Sequence, residues 1–239
     1  MSDALHLLHA LVLEDGRRWG EAAADFQRED AVAILDPAPD EPTMHYITRP
    51  RGGSKTSDLA GIAIAALIDQ FGPADQSYAV AADADQAALL IAAAGGYVQR
   101  TPELVGAITV ERRRIVTPTG AAVNVLPADG ASAYGLRGPL FIVDEIAQWA
   151  STPEPRRVWE AVVSAVPKRA RARLVLLTTA GDPAHFSRKI LDVALASSKW
   201  RVREVPGPVP WIDATNSTYR STRSAPGTGS ETRSSNDIQ

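Results

Sequence analysis

Apolar residues recur at helical spacing over residues 22–35, until Asp36-Pro37-Ala38-Pro39 breaks the pattern and a short extended run, Met44–Thr48, follows. After a Gly-rich turn, residues 57–71 (SDLAGIAIAALIDQF) predict an apolar helix stopped by Gly72-Pro73, and residues 77–82 predict the next buried strand. A second helix spans residues 85–100, weakened by Gly95-Gly96, and segments 108–117 and 121–126 around Thr119-Gly120 predict a hairpin. Residues 140–143 form a short, wholly apolar strand, 155–166 a helix, Arg173–Thr178 another buried strand, 185–197 a helix and 200–205 a closing strand. Strands alternating with helices of this length imply an α/β fold, a mainly parallel sheet with helices on both faces.

The chain of 239 residues is 45% hydrophobic, enough for one substantial core. No run approaches the roughly 20 apolar residues that span a bilayer, and the start, MSDALHLLHALVLEDGRRWG, lacks the basic region of a secretion signal. No membrane association is therefore expected. The absence of cysteine excludes disulfides, thiolate zinc sites and cysteine nucleophiles. A net charge of −3 gives no general affinity for nucleic acid. Two local runs stand out: Arg112, Arg113 and Arg114, and Lys168, Arg169, Arg171 and Arg173. They form either a positive stripe or an ordinary solvated face. Beyond Pro210 the composition turns to Ser, Thr, Arg, Gly and Asn, too poor in apolar residues to offset the entropy of ordering. A folded unit over residues 1–212 and a disordered tail over 213–239 are expected.

The turn after Met44–Thr48 reads Arg49-Pro50-Arg51-Gly52-Gly53-Ser54-Lys55-Thr56. Small residues here let successive backbone N–H groups point at phosphate oxygens, and the following helix adds its positive end. In such a loop Gly52, Gly53 and Ser54 wrap the phosphates, Lys55 reaches the β- and γ-phosphates, and Thr56 binds Mg²⁺. The pattern GxxxxGK[ST] is not met in full, because Arg49 and Ser54 stand where glycines belong. A plain Gly-Gly-Ser turn capping a helix is the competing reading.

Downstream, the apolar strand 140–143 runs directly into Asp144 and Glu145. Carboxylates at the C-terminal end of a buried strand lie where an α/β sheet presents its ligand site. Asp144 is placed to hold Mg²⁺ and Glu145 to orient or deprotonate an attacking water; an ordinary solvated acidic pair is the alternative. Together the two motifs predict a Mg²⁺-dependent P-loop NTPase, a three-layer sandwich.

Further details resemble the ATPase part of phage terminase large subunits. Arg51 lies four residues before Lys55, as in the deviant phosphate loops of that family, and the stretch from Ala81 to Ala87, Gly135-Leu136-Arg137-Gly138, and Leu176-Leu177-Thr178-Thr179-Ala180-Gly181 resemble its other motifs. Trp19 and Phe26-Gln27 are similar to the adenine-side segment, so residues 1–43 are expected to be helical and adenine-facing. The resemblance implies that ATP is the nucleotide, that Arg51 contacts the γ-phosphate, that Arg137 is an arginine finger acting on a neighbouring subunit, that Gln27 reads the adenine edge, and that Thr178 and Thr179 couple hydrolysis to movement. Each has a plain counterpart: a surface loop arginine for Arg137, a solvent-facing glutamine for Gln27, β-favouring strand residues for the threonines. It further implies double-stranded DNA as the cargo, a homo-oligomeric ring, portal protein and small terminase subunit as partners, and the host cytoplasm at the procapsid portal as the place of action. Members of this family continue into a nuclease domain, and the carboxylates after Pro210 do not suggest one here. A truncated prophage remnant that binds nucleotide without packaging is the alternative; a helicase-like ATPase would normally need a second RecA-like domain.

Overall fold

The computed structural model describes residues 1–129 and 135–211. The expectation of a disordered tail from residue 213 falls outside them. The elements run α1 (Asp3–Ala10), α2 (Trp19–Ala22), α3 (Asp25–Leu35), β1 (Met44–Thr48), α4 (Lys55–Asp69), β2 (Gln76–Ala81), α5 (Ala84–Arg100), β3 (Thr109–Glu111), β4 (Arg114–Val116), β5 (Ala122–Pro127), β6 (Leu140–Asp144), α6 (Pro153–Ala165), β7 (Arg173–Thr178), α7 (Phe186–Leu195) and β8 (Trp200–Glu204). One eight-stranded sheet has the order β3-β4-β5-β2-β6-β7-β1-β8. Every pairing from β5 to β8 is parallel, and β3 and β4 form an antiparallel margin. This is the mainly parallel three-layer sandwich of a P-loop NTPase.

Two cores lie on opposite faces because side chains alternate along each strand. In β6 and β7, Leu140, Ile142, Val175 and Leu177 pack beneath α1, α3, α4 and α5, whereas Phe141, Val143, Leu174 and Leu176 pack against α6 and α7. Helix α4 is apolar all round because it is enclosed, with Leu59 to Leu67 buried without a break. Gly61 lets α1 approach: a Cβ there would meet Leu8 Cδ1 at 2.9 Å. Such contacts fix the height of α4, and with it the loop that feeds α4, relative to the sheet.

Two expectations need correction, and one open alternative is decided. The segment 108–117 is not one strand of a hairpin; Arg112-Arg113 folds it into β3 and β4, and β4 then pairs with β5, since a turn leaves those two charges in water. The helical stretch over 22–35 is interrupted at Ala23-Ala24, with α2 ending before it and α3 beginning after. The second basic run is no free stripe. Arg169 forms a two-pronged pair with Asp75, Lys168 donates to Leu136 O and Arg171 to Pro39 O. Arg173 is buried and donates to Ile34 O and to Gln70, so it sits at the negative C-terminal ends of α3 and α4; burial pulls its pKa down to about 10.

Strand β1, one in from the edge strand β8, also buries His45, whose two ring nitrogens have no partner among the described residues. Burial, aided by Arg201 and Arg173, lowers its pKa from 6.5 to about 3. The folded state therefore refuses a proton that the unfolded state accepts, and stability is lost as pH falls below 6.5. From pH 7.5 to 5 this contribution costs about 2 kcal/mol. Urea melts over that interval should show His45→Leu losing correspondingly less stability than the parent chain; equal losses would mean that His45 takes up its proton in place.

Candidate active site

Strand order brings the candidate residues to one edge. β7 lies between β1 and β6, in a register that pairs Thr48 with Thr178 and Asp144 with Leu177, so all three strands end together. The loop over residues 49–54 leaves β1 at this edge. Gly52 adopts φ 72°, which favours glycine, and a Cβ on Gly53 would meet Pro50 O at 2.9 Å. Ser54 takes φ 52°, the left-handed conformation that explains why the general pattern has glycine there. Glu145 has φ 51°. Two of the four non-glycine residues with positive φ among the described residues thus flank this one edge, the kind of strain that marks a functional site.

Lys55 and Thr56, the first residues of α4, meet the carboxylates that follow β6. Thr56 Oγ1 donates to Asp144 Oδ2 at 3.0 Å, and Lys55 Nζ pairs with Glu145 Oε1 at 3.0 Å. Lys55 Nζ also donates to Pro50 O at 2.9 Å. The other oxygen of Glu145, Oε2, accepts from Thr179 N at 2.8 Å and Thr179 Oγ1 at 3.2 Å. Thr178 ties the three strand ends together: its carbonyl accepts from Arg49 N at 2.9 Å and its hydroxyl from Ala147 N at 3.1 Å.

Asp144 is 2% exposed, and its Oδ1 has no hydrogen-bond partner among the described residues. Burial raises its pKa to about 7, with Glu145 adding to the rise while the bond from Thr56 and the charge of Lys55 oppose it. A buried oxygen without a donor, next to a hydroxyl, fits a divalent cation. The described residues hold no group of three or more His, Cys, Asp or Glu suited to a metal. Mg²⁺ requires no such group, since it takes one or two protein oxygens and completes its shell with phosphate and water.

The remaining candidates lie at varying distances. Arg51 is exposed at the apex of the loop. Gln27 is not solvent-facing but 5% exposed; its amide nitrogen donates to both Asp58 oxygens at 2.9 and 2.8 Å, and its oxygen accepts from Ala24 N at 2.9 Å. Arg137 is exposed at the opposite end of the sheet, beside Asp75, Gln76 and Arg169, where the strands begin. Within one chain it does not meet the site. Its neighbour Gly138 has a steric reason: a Cβ there would lie 2.0 Å from Gln76 O.

Sequence reasoning missed three residues beside the loop. Arg49, noted only as a departure from the pattern, is buried with Asp30 and Asp58 as ion partners. Asp58, directly before the unbroken apolar stretch Leu59 to Leu67, was the signal that a buried cation faces it. Trp211, in the segment after β8, donates its indole N–H to Gly52 O at 2.8 Å and lies 5.9 Å from the Phe26 ring; nothing local in the sequence pointed to that contact.

The family of the terminase large subunit ATPase domain matches residues 41–189. The solved HK97 bacteriophage large terminase is similar with a TM-score of 0.73 and 21% identity, covering 88% of this chain and 44% of that one. A Thermus phage large terminase ATPase domain gives 0.55 and 17%, covering 73% of this chain and 78% of that one. A large terminase of a thermophilic bacteriophage in complex with ADP gives 0.54 and 11%, covering 76% and 45%. At these identities the structures share the fold. The chain spans under half the length of the HK97 protein. No curated protein sequence matches it.

Proposed function

Because the chain belongs to the terminase large subunit ATPase-domain family, matched over residues 41–189, we propose that it hydrolyses Mg²⁺-bound ATP at the edge formed by β1, β6 and β7, and that hydrolysis drives double-stranded viral DNA into a procapsid. The observation that carries this reading is the pairing of Thr56 with Asp144 and of Lys55 with Glu145, each at 3.0 Å. A cation and a hydroxyl from a helix N-terminus and two carboxylates from a strand end converge where a metal-bound triphosphate is gripped.

In this reading Gly52, Gly53 and Ser54 wrap the phosphates, Lys55 leaves Pro50 O to bind the β- and γ-phosphates, and Thr56 and Asp144 hold Mg²⁺. The metal, when bound, neutralises charge on the phosphate oxygens. Glu145 orients the attacking water, and exposed Arg51 swings onto the γ-phosphate. Thr179, bonded to Glu145 through both its N–H and its hydroxyl, relays the state of that carboxylate into β7, with Thr178 as the link to the loop. Gln27 acts on the adenine side through Asp58, since its amide nitrogen donates to that carboxylate and its oxygen accepts from Ala24 N.

Arg137 serves a neighbouring subunit in a homo-oligomeric ring, because its own nucleotide lies at the other end of the sheet. The exposed hairpin tip at Arg112 and Arg113 is the better of the two basic runs for DNA phosphates, as the other is committed within the fold. Portal protein and small terminase subunit are the proposed assembly partners, in the host cytoplasm. Among the described residues no helix is long and apolar enough to cross a membrane.

ATP turnover per chain, measured with Mg²⁺ over a wide range of protein concentration, tests this reading. Turnover should rise with concentration and fall by about 10³ or more in Arg137→Ala, the scale of an arginine supplied in trans. Concentration-independent turnover unaffected by Arg137→Ala would remove the ring assignment. Nucleotide binding with no turnover at any concentration would select the remnant reading.

A further inference from the structure

Arg49 stands where the phosphate-loop pattern has its first glycine, yet it is among the largest fully buried side chains. Its guanidinium is held from two helices: Nη2 donates to Asp30 Oδ2 of α3 at 3.0 Å, and Nη1 to Asp58 Oδ2 of α4 at 2.5 Å. Asp58 is in turn fixed by Trp19 Nε1 at 3.0 Å and by Gln27, and Asp30 by Arg201 and Arg203 of β8. The Phe26 ring covers one face, its centroid 4.9 Å from the guanidinium carbon. Burying such a network carries a desolvation cost that a well-packed apolar cluster would avoid, so stability alone is a weak reason for it.

A third acceptor supplies a stronger reason. Nη1 also donates to Gly53 O at 3.3 Å, inside the loop itself. A trans peptide unit is planar, with its C=O and the following N–H pointing in opposite directions. Drawing the Gly53 carbonyl back toward buried Arg49 therefore turns the N–H of Ser54 the other way, to the hollow in front of α4. There it joins the first amides of α4, whose partial positive charge favours an anion. The left-handed backbone at Ser54, φ 52°, is the strain this orientation carries.

We infer that Arg49 is a positioning residue for nucleotide: clamped by Asp30 and Asp58, it holds the Gly53–Ser54 peptide so that its N–H faces the β-phosphate. The inference rests on the phosphate-loop reading above. It gives Trp19 and Gln27 a role one step back, as the residues that hold Asp58, and it explains why a bulky cation replaces glycine at the head of this loop.

The test compares ADP with AMP, which lacks the β-phosphate, in competition titrations on the whole chain. Arg49→Lys keeps a charge for one carboxylate but cannot span Asp30, Asp58 and Gly53 O together; Asp30→Asn keeps the shape and loosens the clamp from the side that does not hold Gln27. Each variant is first checked for its fold by circular dichroism, and either one carries the test if the other does not fold. ADP affinity should fall about tenfold or more with AMP affinity unchanged, and the KM for ATP should rise more than kcat falls. Equal losses for ADP and AMP would mean general loosening and overturn the inference. So would unchanged ADP affinity in these variants while Lys55→Ala loses it, an outcome that leaves the phosphate-loop reading intact. A parent chain that binds no ADP would overturn both.

Discussion

Replacing Glu145 with glutamine is expected to lower ATP turnover by about 10²- to 10⁴-fold, the usual worth of a positioned general base, while ADP affinity stays close to that of the parent. Glu145 follows β6 directly in a left-handed conformation, φ 51°, which turns its side chain back along the sheet edge. There Thr179 holds Oε2 through two bonds and Lys55 holds Oε1 at 3.0 Å. When Lys55 moves to a triphosphate, Oε1 is released as an acceptor for water while Thr179 keeps the carboxylate in place. Glutamine preserves size and can still accept from Thr179, but it cannot take a proton. Parallel measurements of steady-state turnover and ADP binding separate the two functions. Turnover at the parent rate in Glu145→Gln would remove this residue from the chemistry.

Lys55→Ala is expected to weaken both ATP and ADP, by about 10- to 100-fold, from the loss of charge-assisted hydrogen bonds to phosphate. Lys55 is 7% exposed and bonded to Pro50 O and Glu145. Its ammonium therefore already occupies the hollow of the loop, close to where a phosphate would lie. The fold should survive its removal, since Glu145 keeps both bonds from Thr179 and α4 keeps its buried face from Leu59 to Leu67. Calorimetric titration with ADP, alongside a thermal melt, distinguishes lost binding from lost structure. Parent-like ADP affinity in a folded Lys55→Ala chain would mean that this loop holds no phosphate.

Much of this architecture was legible in the chain because its signals are short in range. A short apolar run bounded by turn chemistry reads as a buried strand, and β2, β6 and β7 all announce themselves so, while β1, with His45 inside it, reads only as an extended run. The Arg112-Arg113 turn was harder, since it has no Gly or Asn, and the flanking residues continue a β-favouring pattern across it. Lys55, Thr56, Asp144 and Glu145 were identifiable because a glycine-rich turn and strand-end carboxylates have few other uses in combination. The buried pairings of Gln27, read as adenine-facing, and of Arg49 were not, because a buried polar side chain is explained only by its partners. Asp58 is 31 residues from Gln27, and Asp30 is 19 residues from Arg49.

By itself, the sequence determined the alternation of strands and helices, the parallel character of the sheet, the two halves of the candidate nucleotide site and the resemblance to terminase ATPase domains. Only the tertiary structure decided that β7 is inserted between the strands carrying those halves, that Arg137 lies at the far end of the sheet, and that one basic run is spent on Asp75 and helix ends while the other stays exposed. The reason is the range of the forces involved. Periodicity and turn chemistry act between residues a few positions apart, whereas strand order and the pairing of buried charges are settled by which distant surfaces exclude water from one another.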